Sequence, residues 1–274
     1  MGDRPPLFDF STAEDQQLLC TLLGSILVWE MLFRVSSYVL YATNLAERIT
    51  LDPSTTTTLK ACAPSYVCSM IHSTVVGVRG VIHLIEMWPI QDPMLQLSRA
   101  PQNIMSTNLI FMGYLFYDIY HVIATYPQLG GADMVAHHCV FLIASVINGT
   151  YRIMPFAFGW LIMGELSTIV LNIRWFLIKT GRGHTAAMHV TQILFAISFF
   201  VLRVVIYLMG VGHLFYHHDG LRRLYQEGIV PWAILSVTLG VIVAGSLLNL
   251  MWFQKIFQMA LGAPGKAKSK KKSK

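Results

Sequence analysis

Seven long apolar runs separated by short polar breaks leave this chain little choice of fold. They cover about residues 18–42, 62–86, 104–125, 134–150, 155–179, 187–212 and 229–258. A hydrocarbon core about 30 Å thick is crossed by roughly 20 mostly apolar residues in a helix. The pattern therefore predicts an all-α, polytopic transmembrane helix bundle of six to seven spans. The count is open because the fourth run is short and the third holds Asp118, which leaves room for one re-entrant piece. Composition agrees: 54% of the 274 residues are hydrophobic and 12% are charged, about half the charged fraction of a soluble domain. Mean hydropathy is +0.55.

The breaks carry the residues that stop helices: Asp52-Pro53, Pro89 and Pro93, Pro101, Gly130-Gly131, Pro155, Gly181 to Gly183, and Pro231. None is long enough for a soluble domain, and there is no internal repeat. The net charge of +6 is concentrated in the tail, where Lys266, Lys268, Lys270, Lys271, Lys272 and Lys274 lie together. Without a basic, aromatic-interleaved domain behind it, this tail does not read as a nucleic-acid surface. Residues 1–15 are polar and acidic, with Asp3, Asp9, Glu14 and Asp15. They lack the basic start and small-residue cleavage site of a secretory signal, so the first run is expected to persist as an anchor. Cys20, Cys62, Cys68 and Cys139 lie in or beside apolar runs without metal-type spacing, and read as small buried residues rather than a disulfide framework.

Orientation is read from Lys and Arg near the spans. The tail and the loop Lys179–Arg182 are basic, and with seven spans they share one side, expected to be the cytosol. Arg222 and Arg223 then fall on the lumenal side, against the bias. Asn148-Gly149-Thr150 has the form of a glycosylation sequon but ends a span, which disfavours its use.

Ionisable groups inside spans are costly in lipid and face a protein interior or a water-filled cavity. His137 and His138 open the fourth run, and Glu165 comes 27 residues later in the fifth. Helical spacing sorts the remaining polar groups into stripes. Ser69, His72, Arg79, His83 and Glu86 share a face of the second span, and Asp118 and His121 are neighbours in the third. His137 and Asn148 share a face of the fourth, with His138 about 100° away. Glu165, Thr168 and Asn172 form one stripe of the fifth, with Arg174 across the helix. His189, Gln192 and Arg203 are expected on one face of the sixth, and the seventh contributes Asn249. Glu30 and Arg34 of the first span can neutralise each other at i, i+4.

Gathered in one cavity, His137, His138, Asp118, His121 and Glu165 would suit proton transfer. A histidine takes a proton from a weak nucleophile and returns it to a leaving group, while a carboxylate orients the ring. The competing reading is that these groups hydrogen-bond one another to join helices. It is favoured for Glu30/Arg34, Asn249 and Arg203, whereas two adjacent histidines favour chemistry. A metal is not expected, because rings at i and i+1 of a regular helix cannot aim at one ion. No glycine-rich stretch has the strand context of a nucleotide loop.

The polar third span, the His-His pair, and Glu165-Leu-Ser-Thr continuing to Asn172-Ile-Arg174-Trp175-Phe176 resemble the TLC domain of TRAM, Lag and ceroid-lipofuscinosis proteins. The ending Asn249-Leu-Met-Trp252-Phe-Gln-Lys255-Ile256-Phe257 most resembles the TLC domain-containing protein 4 group. The resemblance divides the chain into a polar N-terminal segment (1–17), a first anchor and loop (18–59), a TLC domain (60–260) and a basic cytosolic tail (261–274).

It further implies a role in membrane lipid homeostasis, by lipid acyl transfer with acyl-CoA as co-substrate or by lipid binding. His137 or His138 would be the general base, with Glu165 and Asp118 as charge partners. His121, Asn148, Asn172, Arg174 and Arg203 are the candidate substrate contacts. Ceramide synthases of this family pair His-His with a later His-Asp-x-x-Asp. Aligned without gaps on His137-His138, that element falls on Gly164, Glu165 and Thr168. One carboxylate survives as Glu and two members are lost, which argues against ceramide synthesis. Family members acting as cargo receptors between endoplasmic reticulum and Golgi carry a similar pair, and this is the alternative. Lys271 and Lys272 resemble a dilysine signal read by the COPI coat, which implies the endoplasmic reticulum membrane and a cytosolic C-terminus. Membrane lipids are the other expected partners.

Overall fold

The computed structural model describes residues 13–90 and 92–260, and every regular element among them is helical. In chain order these are α1 (Ala13–Ala42), α2 (Leu45–Ile49), α3 (Thr56–Met87), α4 (Pro93–Leu97), α5 (Gln102–Ala124) and α6 (Ala132–Tyr151). Then come α7 (Pro155–Met163), α8 (Leu166–Lys179), α9 (Ala186–Phe199), α10 (Ile206–Tyr216), α11 (His218–Gln226) and α12 (Trp232–Ala260). Between α9 and α10 runs a π-helical segment, Phe200–Val205. The expected polar segment 1–17 enters the described residues only at its end, where Ala13 already begins α1. The tail from residue 261, with Lys271 and Lys272, lies outside them.

Six stretches are long and apolar enough to cross a membrane: Asp15–Ala42, Pro53–Met87, Met134–Tyr151, Pro155–Lys179, Ala186–Tyr216 and Trp232–Gln258. Their outward faces carry residues such as Leu27, Met31, Val35, Ile85, Met209 and Met251, as lipid contact requires. The third apolar run became α5, which falls outside this set because its polar residues dilute its hydropathy. Its 23 residues still make a rod about 34 Å long.

Loop contacts define the two ends of the bundle and show what α5 does. At one end Leu51 N donates to Thr180 O at 3.0 Å, and Arg182 Nη1 donates to Ile49 O at 2.7 Å. Cys62 Sγ, near the start of α3, lies 3.9 Å from Gln128 O in the loop after α5. Asp52 caps the turn into α3 here, and bonds from the Ser54 hydroxyl and amide hold its carboxyl below the usual range. At the other end Ala100 N donates to Arg152 O at 2.9 Å and Met154 N to Leu97 O at 2.7 Å. Helix α5 therefore runs from one end of the bundle to the other, and no re-entrant piece occurs among the described residues.

Its polarity is admissible because α1, α3 and α6 pack around it. Thr107, Asn108, Asp118 and His121 are buried along its length. The α3 stripe faces it: Arg79 Nε donates to Thr107 Oγ1 at 2.6 Å, and His83 Nε2 lies 2.8 Å from the same oxygen. Asn108 and Ser145 of α6 bond at 2.6 Å. Each bond satisfies a group that hydrocarbon could not. All four cysteines are free; Cys62 and Cys68 are buried, but Cys20 and Cys139 are exposed. The expectation of burial failed for these two because the outer surface of a membrane bundle is itself apolar and accepts a thiol.

Close backbone approach joins α3 to α7. A Cβ on Gly80 would lie 2.8 Å from both Gly159 O and Met163 N, backbone atoms that cannot rotate away, as at small-residue crossings in membranes. Gly80→Leu is therefore expected to lower unfolding stability by roughly 1–3 kcal/mol in a thermal or denaturant melt of the purified protein. Gly24→Leu, where a Cβ meets nothing within 4 Å, is expected to leave it unchanged.

Candidate functional site

Two helix irregularities face each other in the bundle. The fifth apolar run breaks between α7 and α8 at Gly164-Glu165, and the sixth widens into the π-helical segment holding Arg203. Extra residues of this kind rotate the downstream part of the helix and recur at functional sites. Arg203 Nη2 meets Glu165 Oε1 at 2.8 Å and Thr168 Oγ1 at 3.0 Å, while its Nε donates to Ser167 Oγ at 2.9 Å. Thr168 Oγ1 also bonds Glu165 Oε2 at 3.1 Å. Arg203 is only 5% exposed. Its expected alignment with His189 and Gln192 is corrected: His189 is exposed and Arg203 buried, because the π turn shifts the register between them.

The histidine pair divides its work. His138 Nδ1 on α6 lies 3.0 Å from Asp118 Oδ2 on α5, in ion-pair contact but without the alignment of a hydrogen bond. The half-buried His137 ring instead packs 4.6 Å from Phe141 and 5.4 Å from Trp252, centroid to centroid. Between the Asp118–His138 pair and the Glu165–Arg203 pair sits His72 of α3, 1% exposed. It is stacked on Tyr114 at 3.7 Å and within electrostatic reach of Asp118, His138 and Glu165. Its Nε2 has no hydrogen-bond partner among the described residues. Sequence reading put His72 on the α3 stripe but not in the site, and its burial is what brings it in.

Other expected members lie elsewhere. His121 turns away to α1, where Nε2 meets Glu30 Oε2 at 2.9 Å and the ring packs 4.0 Å from Phe33. Its inclusion in one cavity with His137 is thus corrected. Position i+3 from Asp118 aims it at α1, whose Glu30 also bonds Arg34 at 2.6 Å. Asn172 Nδ2 donates to Ser69 Oγ at 3.0 Å and joins α8 to α3. Arg174 is half-buried and forms no ion pair among the described residues. No three of their His, Cys, Asp or Glu side chains converge as metal ligands.

Beside this polar layer lies a narrow, partly open apolar cavity of about 70 Å³, lined from α5, α6, α7, α10 and α12. Glu165, Asn148, Ser145, Tyr207 and Thr238 give it polar points among aliphatic and aromatic walls. Neither His137 nor His138 lines it, but Phe141, against which His137 packs, does. One end is closed by the α6–α7 turn, where Arg152 and Met154 adopt φ of 50° and 53°. Such non-glycine conformations cost about 1–3 kcal/mol each. Asn148 Nδ2 holds the turn by donating to Ile153 O at 2.7 Å.

The TLC domain family profile matches residues 64–258. The chain belongs to this family. It is 28% identical over 198 residues to TLC domain-containing protein 4 of Homo sapiens, covering 70% of this chain and 71% of that protein. It is 28% identical to TLC domain-containing protein 4-B of Xenopus laevis, covering 53% of this chain and 54% of that protein. It is 29% identical to protein 4-B of Danio rerio over 56% and 58%. The matched stretch thus spans about half the length of the frog relative.

Within the TLC domain, one position has a direct steric account. Gly164, which aligns with the histidine of the ceramide-synthase pattern, is tightly surrounded: a Cβ there would meet Tyr207 Oη at 3.0 Å and Leu161 O at 3.1 Å. Tyr207 Oη is fixed by donating to Leu161 O at 2.9 Å.

A buried ion pair loses most when one partner goes. Arg203→Met is expected to destabilise the TLC domain by about 3–5 kcal/mol, read as the unfolding midpoint of the purified protein. The double variant Arg203→Met/Glu165→Met is expected to recover most of that loss.

Proposed function

We propose that this TLC-domain protein handles membrane lipids, holding an acyl chain in the apolar cavity with its polar end at the Asp118, His138, His72, Glu165 and Arg203 layer. The observation that carries the reading is the cavity's lining. Small-molecule sites are mostly apolar and carry a few placed polar groups, and here Glu165, Asn148 and Tyr207 stand among aliphatic and aromatic walls. A ligand with one long hydrocarbon part and one polar group matches that distribution.

If the lipid is turned over, acyl transfer from acyl-CoA is the reaction these groups suit. His138, oriented by Asp118 at 3.0 Å, takes the proton of a hydroxyl or amine nucleophile as it attacks the thioester carbonyl. The proton then goes to the departing thiolate. Glu165 is already engaged by Arg203 and Thr168, so its part is to position Arg203 rather than to serve as base. Arg203 is then available to polarise a carbonyl.

The same engagement of Glu165, with Gly164 in place of histidine, favours a second reading: a non-catalytic cargo receptor cycling between endoplasmic reticulum and Golgi. Both readings place the protein in the endoplasmic reticulum membrane with Lys271 and Lys272 cytosolic and available to the COPI coat.

Untargeted lipid profiling of cells expressing wild type, His137→Ala/His138→Ala or Gly245→Phe at matched levels separates them. Gly245 lines the cavity, and a Cβ there meets open space, so Phe fills the cavity without a backbone clash. The lipid reading expects one lipid class to change with wild type and to revert with both variants. Three identical profiles, with cargo export lost only on deletion of residues 261–274, would leave the receptor reading.

A further inference from the structure

Outside the inner cavity, α10, α11 and α12 frame an open groove of about 710 Å³. Helix α11 lies between the end of one span at Tyr216 and the start of the next at Trp232, so it sits at the boundary of hydrocarbon and water. Its inner face is fastened to the bundle. Leu224 is fully buried, and a Cβ on Gly220 would come within 2.7 Å of Leu97 Cδ1 on α4. Its other face turns charge and an aromatic ring toward the groove, as does the first residue of α12.

Three features describe what fits there. Tyr225 and Trp232 meet edge-on at 5.8 Å at the mouth, the pairing of amphipathic rings expected at headgroup depth. His218 Nε2 and Asp219 Oδ1 lie 3.5 Å apart, whereas Arg222 in the same lining has no ion-pair partner among the described residues. Its neighbour Arg223 adds a second exposed cation. Below the mouth, Leu235, Leu239 and Val243 form an aliphatic track on α12. From Trp232 to Val243 it is about 16 Å long. The track ends at Ile242, which is 5% exposed and lines both the groove and the inner cavity.

We propose that this groove is an entry site for an anionic glycerophospholipid of the bilayer. The headgroup is held by Arg222 at the Tyr225–Trp232 mouth, and one acyl chain lies along α12 as far as Ile242. Charge complementarity sets the headgroup class. Among the described residues Arg222 has no ion-pair partner and Arg223 is exposed beside it. These are two cations against the single Asp219 carboxylate of the lining, which favours a net negative group. The wall at Ile242 sets the destination: a rotamer change there joins the track to the inner cavity. This second step rests on the proposal that the cavity holds a lipid, while the headgroup site stands on the groove alone.

The test uses the full chain in lipid nanodiscs with photoactivatable phosphatidylserine or phosphatidylcholine bearing a diazirine at the end of one acyl chain, and adduct sites mapped by mass spectrometry. Phosphatidylserine is expected to label the 235–243 stretch several-fold more than phosphatidylcholine. Arg222→Glu is expected to abolish the difference, and Arg222→Lys to keep most of it. Equal labelling by both lipids, unaffected at Arg222, would reduce the groove to ordinary annular contact and overturn the proposal. Cross-linking of a second copy of the chain at these residues would overturn it too. Gly245→Phe distinguishes the two readings: groove labelling is expected to persist while adducts on Phe141 disappear. Groove labelling in the wild type without any on Phe141 overturns the passage to the inner cavity and leaves the headgroup site standing.

Discussion

A guanidinium and a carboxylate held in contact away from water govern much of this architecture. Neither Glu165 nor Arg203 is tolerable alone in a low-dielectric interior, and each lies where its helix departs from regular winding. The break at Gly164-Glu165 and the π turn at Phe200–Val205 bring the two charges together, with Ser167 and Thr168 completing the hydrogen bonds. The same break ends α7 where Leu161 and Ile162 begin the cavity wall, and α10 continues from the π turn to bring Tyr207 across from them. Ion pair, helix irregularities and cavity form one mechanical unit.

The sequence shows the helices far more clearly than the site. Apolar runs report exposure to lipid, which is a property of single helices, so all seven were legible and each became helical over most of its expected length. Asp118 and the histidine pair were also legible as groups that must find partners. Which partner each found was not. His121 could face α6 or α1, and only the packing of α1, with Glu30 at the matching depth, decides it. Arg203 was placed on the wrong stripe because a π turn leaves no mark in residue spacing. His72 looked like one of five stripe members, and its stacking between Tyr114 and Phe111 comes from helices that are distant in sequence.

Membership in the TLC domain family fixes the arrangement of spans without fixing the chemistry. Around residue 164 the packing is close, since Tyr207 lies over Gly164 and donates to Leu161 O. A side chain at residue 164 would require Tyr207 to shift by a few tenths of an ångström. The polar layer is built from Asp118 with His138 and Glu165 with Arg203, with the buried His72 within electrostatic reach of both.

Helix α5 carries a consequence for how the protein is made. A segment with buried Thr107, Asn108, Asp118 and His121 gains too little from lipid to be retained on its own hydropathy during insertion. The segments that shelter it are synthesised on both sides of it: α1 and α3 before, α6 after. Retention of α5 in the bilayer is thus a cooperative event, complete only when Ser145 of α6 and the Asp118 partner His138 have left the ribosome. Until then the polar groups of α5 lack their α6 partners.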